Sequence, residues 1–225
     1  MKDTIIVGVC ATGRVVLDCL VASGREGEIA GFVHGRPEGT PSEEVFDGFP
    51  VLGTLADVAR LKRDRGIRRA IVGVGEIAQR EQLFGELSRA GLDLISAVHP
   101  TAVLTRGVEV GRNVIVAPQA AVGVGTHIAD GAFLNTSCSV DHDCEIGEFA
   151  HICPGTHLAG TVTVGRRTWV GIGASVVQGV TIGEDTFVGA GAVVVRDLPA
   201  GVLVYGVPGR VVRELEEGER GRIIH

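Results

Sequence analysis

Aliphatic residues recur at every sixth position over a long stretch of this chain. From Ala97 to Leu198 the sequence divides into seventeen consecutive six-residue units, and the second residue of each unit is valine, leucine or isoleucine. Neither the 3.6-residue period of an α-helix nor the two-residue period of a single strand fits this spacing. A fixed six-residue period is typical of parallel β-helices, in which each unit forms one short strand and one corner. The pattern therefore predicts a β-helix that begins at residue 97.

A longer repeat of eighteen residues is superimposed on the six-residue one. In every third unit the aliphatic residue is followed by a glycine or, once, by an alanine: Gly111, Ala129, Gly147, Gly165 and Gly183. We interpret eighteen residues as one triangular coil, so that residues eighteen apart stack on the same face. The aliphatic side chains then form a narrow interior with little room for rings, which agrees with the aromatic content of 4% beside 45% hydrophobic residues.

The first 96 residues lack this period and alternate between apolar runs and helical spacing. Apolar runs predict strands at 4–9, 29–33 and 70–74, and helices are predicted directly after the first strand, at 55–65 and at 77–90. This alternation favours a small Rossmann-like βαβ domain, with a parallel sheet and helices on its faces. We therefore expect an α/β domain at 1–96, an all-β parallel β-helix domain at 97–212 and a C-terminal tail at 213–225.

Two glycine-bearing turns, 8–13 and 73–76, follow strands of the predicted sheet. Ligands of such sheets bind at the carboxyl ends of the strands. The first turn opens a helix, whose free N–H groups suit a phosphate. A tight turn required only for packing is an equally good interpretation, because the spacing of Gly8 and Gly13 matches no standard phosphate-binding motif.

Composition and charge exclude several classes of protein. The formal net charge is -6, without the basic stripe that a nucleic-acid-binding protein carries. The five cysteines are an odd number and have no zinc-type spacing, which indicates free thiols in a reducing cytoplasm. The apolar stretch 4–22 is interrupted by Gly13, Arg14 and Asp18, so we expect neither a membrane span nor a secretion signal.

One coil of the predicted β-helix collects polar side chains. They are Asn135, Asp141, His142, Asp143, His151 and His157. Because a neighbouring carboxylate orients an imidazole and favours its protonated form, His142 between two aspartates is suited to act as a general base. A solvated Asp-His-Asp turn is the alternative interpretation. Zinc held by three histidines is a further possibility, but the histidines occupy different positions in their units, and we expect no metal.

At these residues the chain resembles a known family. The sequences N-T-S at 135–137, H-D-C-E-I-G-E-F at 142–149 and G-V-P-G-R at 206–210 are similar to those of bacterial N-acetyltransferases that act on UDP-4-amino sugars and related nucleotide sugars. These enzymes are relatives of the sialic-acid-pathway O-acetyltransferases. The resemblance implies that the β-helix is left-handed and that acetyl-CoA is the cosubstrate. It also implies a homotrimer with active sites between adjacent subunits.

The resemblance further implies roles for individual residues. His142 takes the position of the catalytic base, Asp143 that of its acidic partner and Asn135 that of an active-site asparagine. Whether Asp143 or Asp141 orients His142 is open, because the relatives carry a longer glutamate. The implied acetyl-CoA contacts are His151, the backbone N–H of Gly160, a pantetheine track of Ile172, Gly173 and Ala190, and the adenine-side segment Pro208, Gly209 and Arg210.

The implied contacts with the nucleotide sugar lie in the N-terminal domain. They are Cys10, Ala11, Thr12, Gly13, His34, Gly35, Gly75 and Arg80. The relatives carry a glycine and a histidine where this chain has Ala11 and Thr12, and often two aspartates where it has His34 and Gly35. These residues therefore do not decide whether the nucleotide is UDP, dTDP or GDP. A deoxyribonucleotide is favoured, since no carboxylate is present here to accept a hydrogen bond from a ribose hydroxyl.

The functional hypothesis is an acetyl-CoA-dependent N-acetyltransferase acting on the amino group of a nucleotide-linked 4-amino sugar. The alternatives are O-acetylation of a sugar hydroxyl, a metal-dependent hydratase of the γ-carbonic-anhydrase type and a non-catalytic trimeric scaffold. A column of outward aromatic residues, Phe133, Trp169 and Phe187, is expected to be exposed in a single chain and covered by a second copy.

Overall fold

The computed structural model describes residues 2–36 and 44–222, so the last three residues of the expected tail lie outside the described residues. A layer of parallel strands and helices is followed by three parallel sheets that wind into a β-helix. This architecture confirms the predicted fold class. No helix among the described residues is long and apolar enough to cross a membrane.

Among the described residues, the α/β layer contains six strands and three α-helices. The strands are β1 (Thr4–Val7), β2 (Ile29–His34), β3 (Val45–Phe46), β4 (Phe49–Thr54), β5 (Arg69–Val72) and β6 (Asp93–Leu94), and the helices are α1 (Ala11–Ala22), α2 (Val58–Arg65) and α3 (Ile77–Arg89). Their sheet order is β3-β4-β2-β1-β5-β6, with only the β3–β4 pair antiparallel. The sequence did not predict the β3–β4 hairpin, because Gly48, Pro50 and Gly53 interrupt its apolar pattern.

The β-helix consists of seventeen two-residue strands, each starting at the first residue of a predicted six-residue unit. They are β7 (Ala97–Val98), β8 (Val103–Leu104), β9 (Glu109–Val110), β10 (Ile115–Val116), β11 (Ala121–Val122), β12 (His127–Ile128), β13 (Phe133–Leu134), β14 (Ser139–Val140), β15 (Glu145–Ile146), β16 (His151–Ile152), β17 (His157–Leu158), β18 (Thr163–Val164), β19 (Trp169–Val170), β20 (Ser175–Val176), β21 (Thr181–Ile182), β22 (Phe187–Val188) and β23 (Val193–Val194). A final hairpin follows, formed by β24 (Val202–Tyr205) and β25 (Arg210–Glu214).

The strands form three faces, and residues eighteen apart are direct neighbours. Face 1 contains every third strand from β7 to β22 and ends with β24 and β25, face 2 runs from β8 to β23, and face 3 runs from β9 to β21. On face 1, for example, His151 pairs with Phe133 on one side and Trp169 on the other. The second residues of the units point inward and form the buried aliphatic core, as the period predicts.

In all but the first and last units, the fifth residue occupies a left-handed backbone conformation at the corner. At one corner these residues are Gly125 (φ 72), Asp143 (φ 55) and Thr161 (φ 58). Glycine adopts this conformation without strain, and aspartate tolerates it better than most other residues. This corner geometry determines where the side chains of the neighbouring residues point.

The α/β layer packs on face 1. Ile115 and Phe133 of this face lie in one buried cluster with Ile6, Val16 and Phe32. The backbone N–H of Val72 donates a hydrogen bond of 2.7 Å to the side-chain oxygen of the buried Asn113, which ties β5 to the β-helix. The α/β layer and the β-helix therefore share a core.

This packing corrects the expectation for the aromatic column. Phe133 and Phe187 are 2% and 6% exposed in the single chain, and Trp169 is half-buried. The α/β layer covers Phe133, and Leu215, which follows β25, packs against Phe187. Since the chain covers this column itself, the column gives no reason for a second copy to bind there.

Candidate active site

His142 lies at the corner between faces 2 and 3, two residues after the end of β14. Asp141 and Asp143 contact it in different ways. The Asp141 carboxylate accepts a 2.8 Å hydrogen bond from the backbone N–H of His142. The Asp143 carboxylate lies 2.9 Å from the ring nitrogen Nδ1 of His142. Asp143 is therefore the residue that orients the ring, and Asp141 stabilises the turn.

The two carboxylates also act on the protonation of His142. The hydrogen bond that Nδ1–H donates to Asp143 raises the pKa of the imidazole above its usual value, and the charges of Asp141 and Asp143 add to that effect. Because Nδ1 is directed at Asp143, the lone pair of the neutral ring lies on Nε2. The side chain as a whole is 45% exposed.

The ring of His142 stacks on Gly160 of the next coil. A Cβ atom at position 160 would lie 2.5 Å from Nε2 and 2.6 Å from Cε1 of His142. Such distances are far shorter than a van der Waals contact, so only glycine leaves the ring where it is. The eighteen-residue period predicts that Gly160 lies beside His142, and the structure confirms this prediction.

Asn135 and His151 form a second group at the corner between faces 1 and 2. The side-chain nitrogen of Asn135 lies 3.2 Å from Nε2 of His151. His151 is only 3% exposed and lies between the rings of Phe133 and Trp169, with centroid distances of 4.5 Å and 4.3 Å. Burial lowers the pKa of His151 well below its usual value, and the positive charge of Arg80 lowers it further.

The two groups lie on opposite edges of face 2, separated by strand β14. A shallow groove of about 260 Å³ lies over face 2, and its lining includes Ala121, Gly123, Ser139 and Asp141. A single chain therefore brings His142 together with Asp143 and Gly160, and Asn135 together with His151, but leaves a strand between these two groups.

The same face carries a side-chain pair that the sequence analysis did not connect. The Ser139 hydroxyl lies 2.8 Å from Nδ1 of His157, on neighbouring strands of face 2. These residues are eighteen positions apart, so the repeat contained the signal that would have paired them. They lie between the two edges and add hydrogen-bonding groups to this face.

The residues of the implied pantetheine track line up along the corner that carries Asn135. Ile172 is 59% exposed, and its carbonyl accepts a 2.8 Å hydrogen bond from Gly191, next to the exposed Ala190. Gly173 lies beside Ile172 with a φ of 65°. Further along, Pro208 in the turn between β24 and β25 is exposed, and so is Arg210, the first residue of β25. The corner thus forms one continuous ridge from Thr136 to the final hairpin.

The predicted N-terminal turn surrounds the start of α1. Cys10 immediately precedes α1, and its thiol donates to the carbonyl of Gly73 at 3.2 Å. A Cβ atom at Gly13 would lie 2.0 Å from the carbonyl oxygen of Gly8. Glycine at position 13 is therefore required by close backbone packing, which supports the packing interpretation of this turn.

The other N-terminal candidates lie at the ends of neighbouring strands. Ala11 and Thr12 form the first turn of α1, and a Cβ atom at Gly75 would lie 3.1 Å from the hydroxyl of Thr12. His34 ends β2, and the carbonyl of Gly35 accepts a 3.1 Å hydrogen bond from Gln79. The ring nitrogen Nε2 of His34 is buried without a hydrogen-bond partner among the described residues.

Arg80 differs from its implied role as a contact with the nucleotide sugar. Its side chain is 0% exposed, and its guanidinium donates to the carbonyls of Val74, Gly75, Gly131 and Phe149 at 2.9–3.0 Å. A ligand bound at the surface does not reach this group. Arg80 instead connects the turn after β5 to the β-helix.

No group of three or more histidine, cysteine, aspartate or glutamate residues that could hold a metal ion lies in the described ranges. All five cysteines are free thiols. Burial raises the pKa of Cys138 to about 12 and that of Cys144 above its usual value.

Comparison with known proteins first defines the class. Residues 161–196 match the family model described as bacterial transferase hexapeptide (six repeats). Together with the β-helix and the His142 corner, this match makes the chain a hexapeptide-repeat transferase.

Comparison with individual proteins shows to which family of these transferases the chain is similar. PerB of Caulobacter crescentus, solved in complex with CoA and GDP-perosamine, is 38% identical, with a TM-score of 0.86 and coverage of 94% of this chain and 97% of PerB. The acetyltransferase domain of PglB from Neisseria gonorrhoeae, solved in complex with acetyl coenzyme A, is 31% identical, with a TM-score of 0.84 and coverage of 94% of this chain and 99% of that domain. A GDP-perosamine N-acetyltransferase of Escherichia coli O157:H7 is 31% identical over 139 residues, which are 60% of this chain and 63% of that protein.

The chain therefore belongs to the family of acetyl-CoA-dependent N-acetyltransferases that act on nucleotide-linked amino sugars. Further solved structures of the Caulobacter enzyme carry a single histidine replaced by asparagine or alanine, again in complex with CoA and GDP-perosamine.

Proposed function

We propose that this chain transfers an acetyl group from acetyl-CoA to the 4-amino group of a GDP-linked sugar of the perosamine type. The observation that carries the proposal is the His142–Asp143 pair at 2.9 Å, exposed on the β-helix of a chain that aligns with PerB over 94% of its length. The nucleotide named for PerB is GDP, and on this ground we favour GDP over the deoxyribonucleotide expected from the sequence.

In the proposed reaction the amine attacks the thioester carbonyl, and the C–S bond to CoA breaks. His142 Nε2 takes the proton from the amine, and the imidazolium is stabilised by Asp143. The backbone N–H of Gly160 stabilises the negative charge on the carbonyl oxygen. The proton on His142 then passes to the CoA thiolate, which leaves as the thiol, and the acetylated sugar departs.

The test is release of CoA, measured with a thiol reagent, when acetyl-CoA is mixed with the same 4-amino sugar linked to GDP, dTDP or UDP. We expect the highest kcat/KM with GDP and at least a 10²-fold lower kcat in His142→Ala, which is the typical contribution of a general base. CoA release that is equal in the wild type and in His142→Ala would rule out this mechanism. A higher kcat/KM with a sugar that carries a hydroxyl in place of the 4-amino group would indicate O-acetylation instead.

We also propose that the chain acts as a homotrimer through face 2. Face 1 is covered by the chain itself, and face 3 carries charged residues such as Glu109 and Glu145. Face 2 bears small or aliphatic residues, and one of them, Val103, is 57% exposed in the described part of the chain. Threefold packing beside this face would set the Asn135 edge of one subunit against the His142 edge of the next, so that the two separated groups form one site.

Complementation between subunits tests this arrangement. We expect His142→Ala and Asn135→Ala to be nearly inactive alone, and co-expressed mixed trimers to regain a measurable fraction of the activity, because some interfaces then hold both native residues. Mixed samples that stay inactive, or a monomer mass in light scattering at micromolar concentration, would contradict the shared site.

A further inference from the structure

Side-chain hydroxyls connect successive coils at several corners of the β-helix. The hydroxyl of Thr126 donates a 2.9 Å hydrogen bond to the carbonyl of Asp141 and accepts one of 3.2 Å from the backbone N–H of Cys144. Thr168 makes the same two bonds at another corner, at 2.7 Å and 3.2 Å. Both threonines are the last residue of their six-residue unit, and each holds the backbone of the corner on the next coil.

Cys144 makes this connection with a thiol, one coil further along the corner that carries His142. The thiol donates to the carbonyl oxygen of Ala159 at 3.3 Å, and the backbone N–H of Val162 donates to Sγ at 3.4 Å. The His142 carbonyl, at 3.7 Å, is the poorer acceptor, because it already accepts a 2.8 Å hydrogen bond from Thr161. Cys144 is 0% exposed, and burial raises the pKa of its thiol, so the thiol keeps its proton at neutral pH.

The carbonyl of Ala159 belongs to the same peptide group as the N–H of Gly160. This peptide bond is trans, and in a planar trans peptide the C=O and the N–H point in opposite directions. Because the carbonyl is directed at a thiol in the interior, the Gly160 N–H points outward, toward the surface of the corner where His142 lies. No acceptor among the described residues takes this N–H.

The thiol also keeps Val162 from competing for the Ala159 carbonyl. In other units, such as 145–150, the N–H of the sixth residue donates to the carbonyl of the third, there at 3.1 Å. The N–H of Val162 goes to Sγ of Cys144 instead. Without an acceptor at position 144, this N–H would turn to the Ala159 carbonyl and tilt the rigid peptide, and the N–H of Gly160 would move with it.

We propose that Cys144 is a positioning residue of the active site, which acts through the Ala159–Gly160 peptide and directs the Gly160 N–H at the carbonyl oxygen of the thioester. The thiol holds one side of the peptide group, and the other side follows because the group is rigid. Cys144 itself touches no reacting atom. This inference rests on the proposed function, in which the Gly160 N–H stabilises the negative charge on that oxygen.

Two variants of equal shape separate the hydrogen bonds of Cys144 from its packing. Position 144 stacks between Thr126 and Val162, so threonine and valine both suit this column, but only threonine donates and accepts hydrogen bonds. Cys144→Thr should keep kcat within about threefold of the wild type, whereas Cys144→Val should lower it about 10-fold or more, because loss of an oxyanion donor typically costs about 10²- to 10³-fold. The KM values of both substrates should change by less than about threefold, since the interaction is made in the transition state.

Thr168→Val is the matched control, because it removes a hydroxyl that makes the same two bonds at the corner between faces 3 and 1. Its melting temperature should fall about as much as that of Cys144→Val, while its kcat should stay at the wild-type value. Equal kcat values in Cys144→Thr and Cys144→Val refute the proposal, and so does an equal loss of kcat in Cys144→Val and Thr168→Val. If Cys144→Val does not fold, Cys144→Ala, which also lacks a donor, takes its place with the same expectation.

Crystal structures of the wild type, Cys144→Thr and Cys144→Val test the geometry without any turnover. In Cys144→Val, the N–H of Val162 should bond to the Ala159 carbonyl, and the Ala159–Gly160 peptide should be rotated. In Cys144→Thr, the peptide should keep its wild-type orientation. The same orientation in all three proteins overturns the proposal. If the peptide rotates as expected but the wild type releases no CoA with any amino sugar, only the proposed function fails.

Discussion

Gly160→Ala tests directly whether the position of the His142 ring controls the reaction. The added methyl group would lie 2.5 Å from Nε2 and 2.6 Å from Cε1 of His142. Since non-bonded heavy atoms approach to about 3.5 Å, the ring has to move by about 1 Å. A displacement of about 1 Å at a reacting group typically costs about 10²-fold in rate. We therefore expect kcat to fall by about two orders of magnitude.

The fold should tolerate this substitution. Gly160 is not among the residues with a positive φ, so alanine introduces no backbone strain. The His142 side chain is 45% exposed and can turn into solvent. The melting temperature of Gly160→Ala should therefore stay close to that of the wild type. Gly218→Ala is the control, because its added methyl group meets no atom within 4 Å.

A double-mutant cycle separates two ways in which Gly160 could act. CoA release is measured for the wild type, for Gly160→Ala, for His142→Ala and for the double variant. If Gly160 acts by leaving room for the ring, the second substitution has no further effect once the ring is gone. Wild-type turnover in Gly160→Ala refutes the reasoning. An equal loss in both backgrounds shows that the methyl group disturbs the Gly160 N–H and not His142.

Three further predictions follow from the same contacts. The hydrogen bond that His142 donates to Asp143 is the main cause of the raised pKa of His142. Asp143→Asn should therefore move the acid limb of kcat/KM to lower pH and reduce its plateau, while Asp141→Asn should shift the limb less. Equal shifts would contradict the assignment of the orienting carboxylate. His151 has a lowered pKa in the folded chain, so the unfolded chain binds a proton more readily than the folded chain does. The free energy of unfolding, measured by urea denaturation, should therefore be highest above about pH 6.5 and should decrease at lower pH by up to about 1.4 kcal/mol per pH unit. This pH dependence should be smaller in His151→Phe. Val103→Arg on face 2 should weaken trimers in light scattering, whereas Val21→Arg on the exposed side of α1 should not.

The sequence alone was sufficient for the β-helix and for one half of the candidate site. Each six-residue unit places one aliphatic side chain in the continuous interior. A strand shifted by one residue would turn that side chain outward, and for this reason the positions of the aliphatic residues in the sequence specify the strand register. The same period predicted that Gly160 lies beside His142 and that His151 lies between Phe133 and Trp169. These contacts are local to one coil or its neighbour, and for this reason they were predictable.

The contacts that depend on how the α/β layer docks on face 1 were decided only by the tertiary structure. Docking buries Phe133 and encloses Arg80, so the column predicted to be exposed is covered and the residue predicted to bind substrate is internal. The choice of Asp143 over Asp141 as the partner of the His142 ring depends on the left-handed backbone at Asp143, an angle that the residue type permits but does not specify. The six-residue period specifies which residues are neighbours within the β-helix. Contacts between the α/β layer and the β-helix depend on the shapes of both surfaces, and the sequence pattern of neither part specifies these shapes.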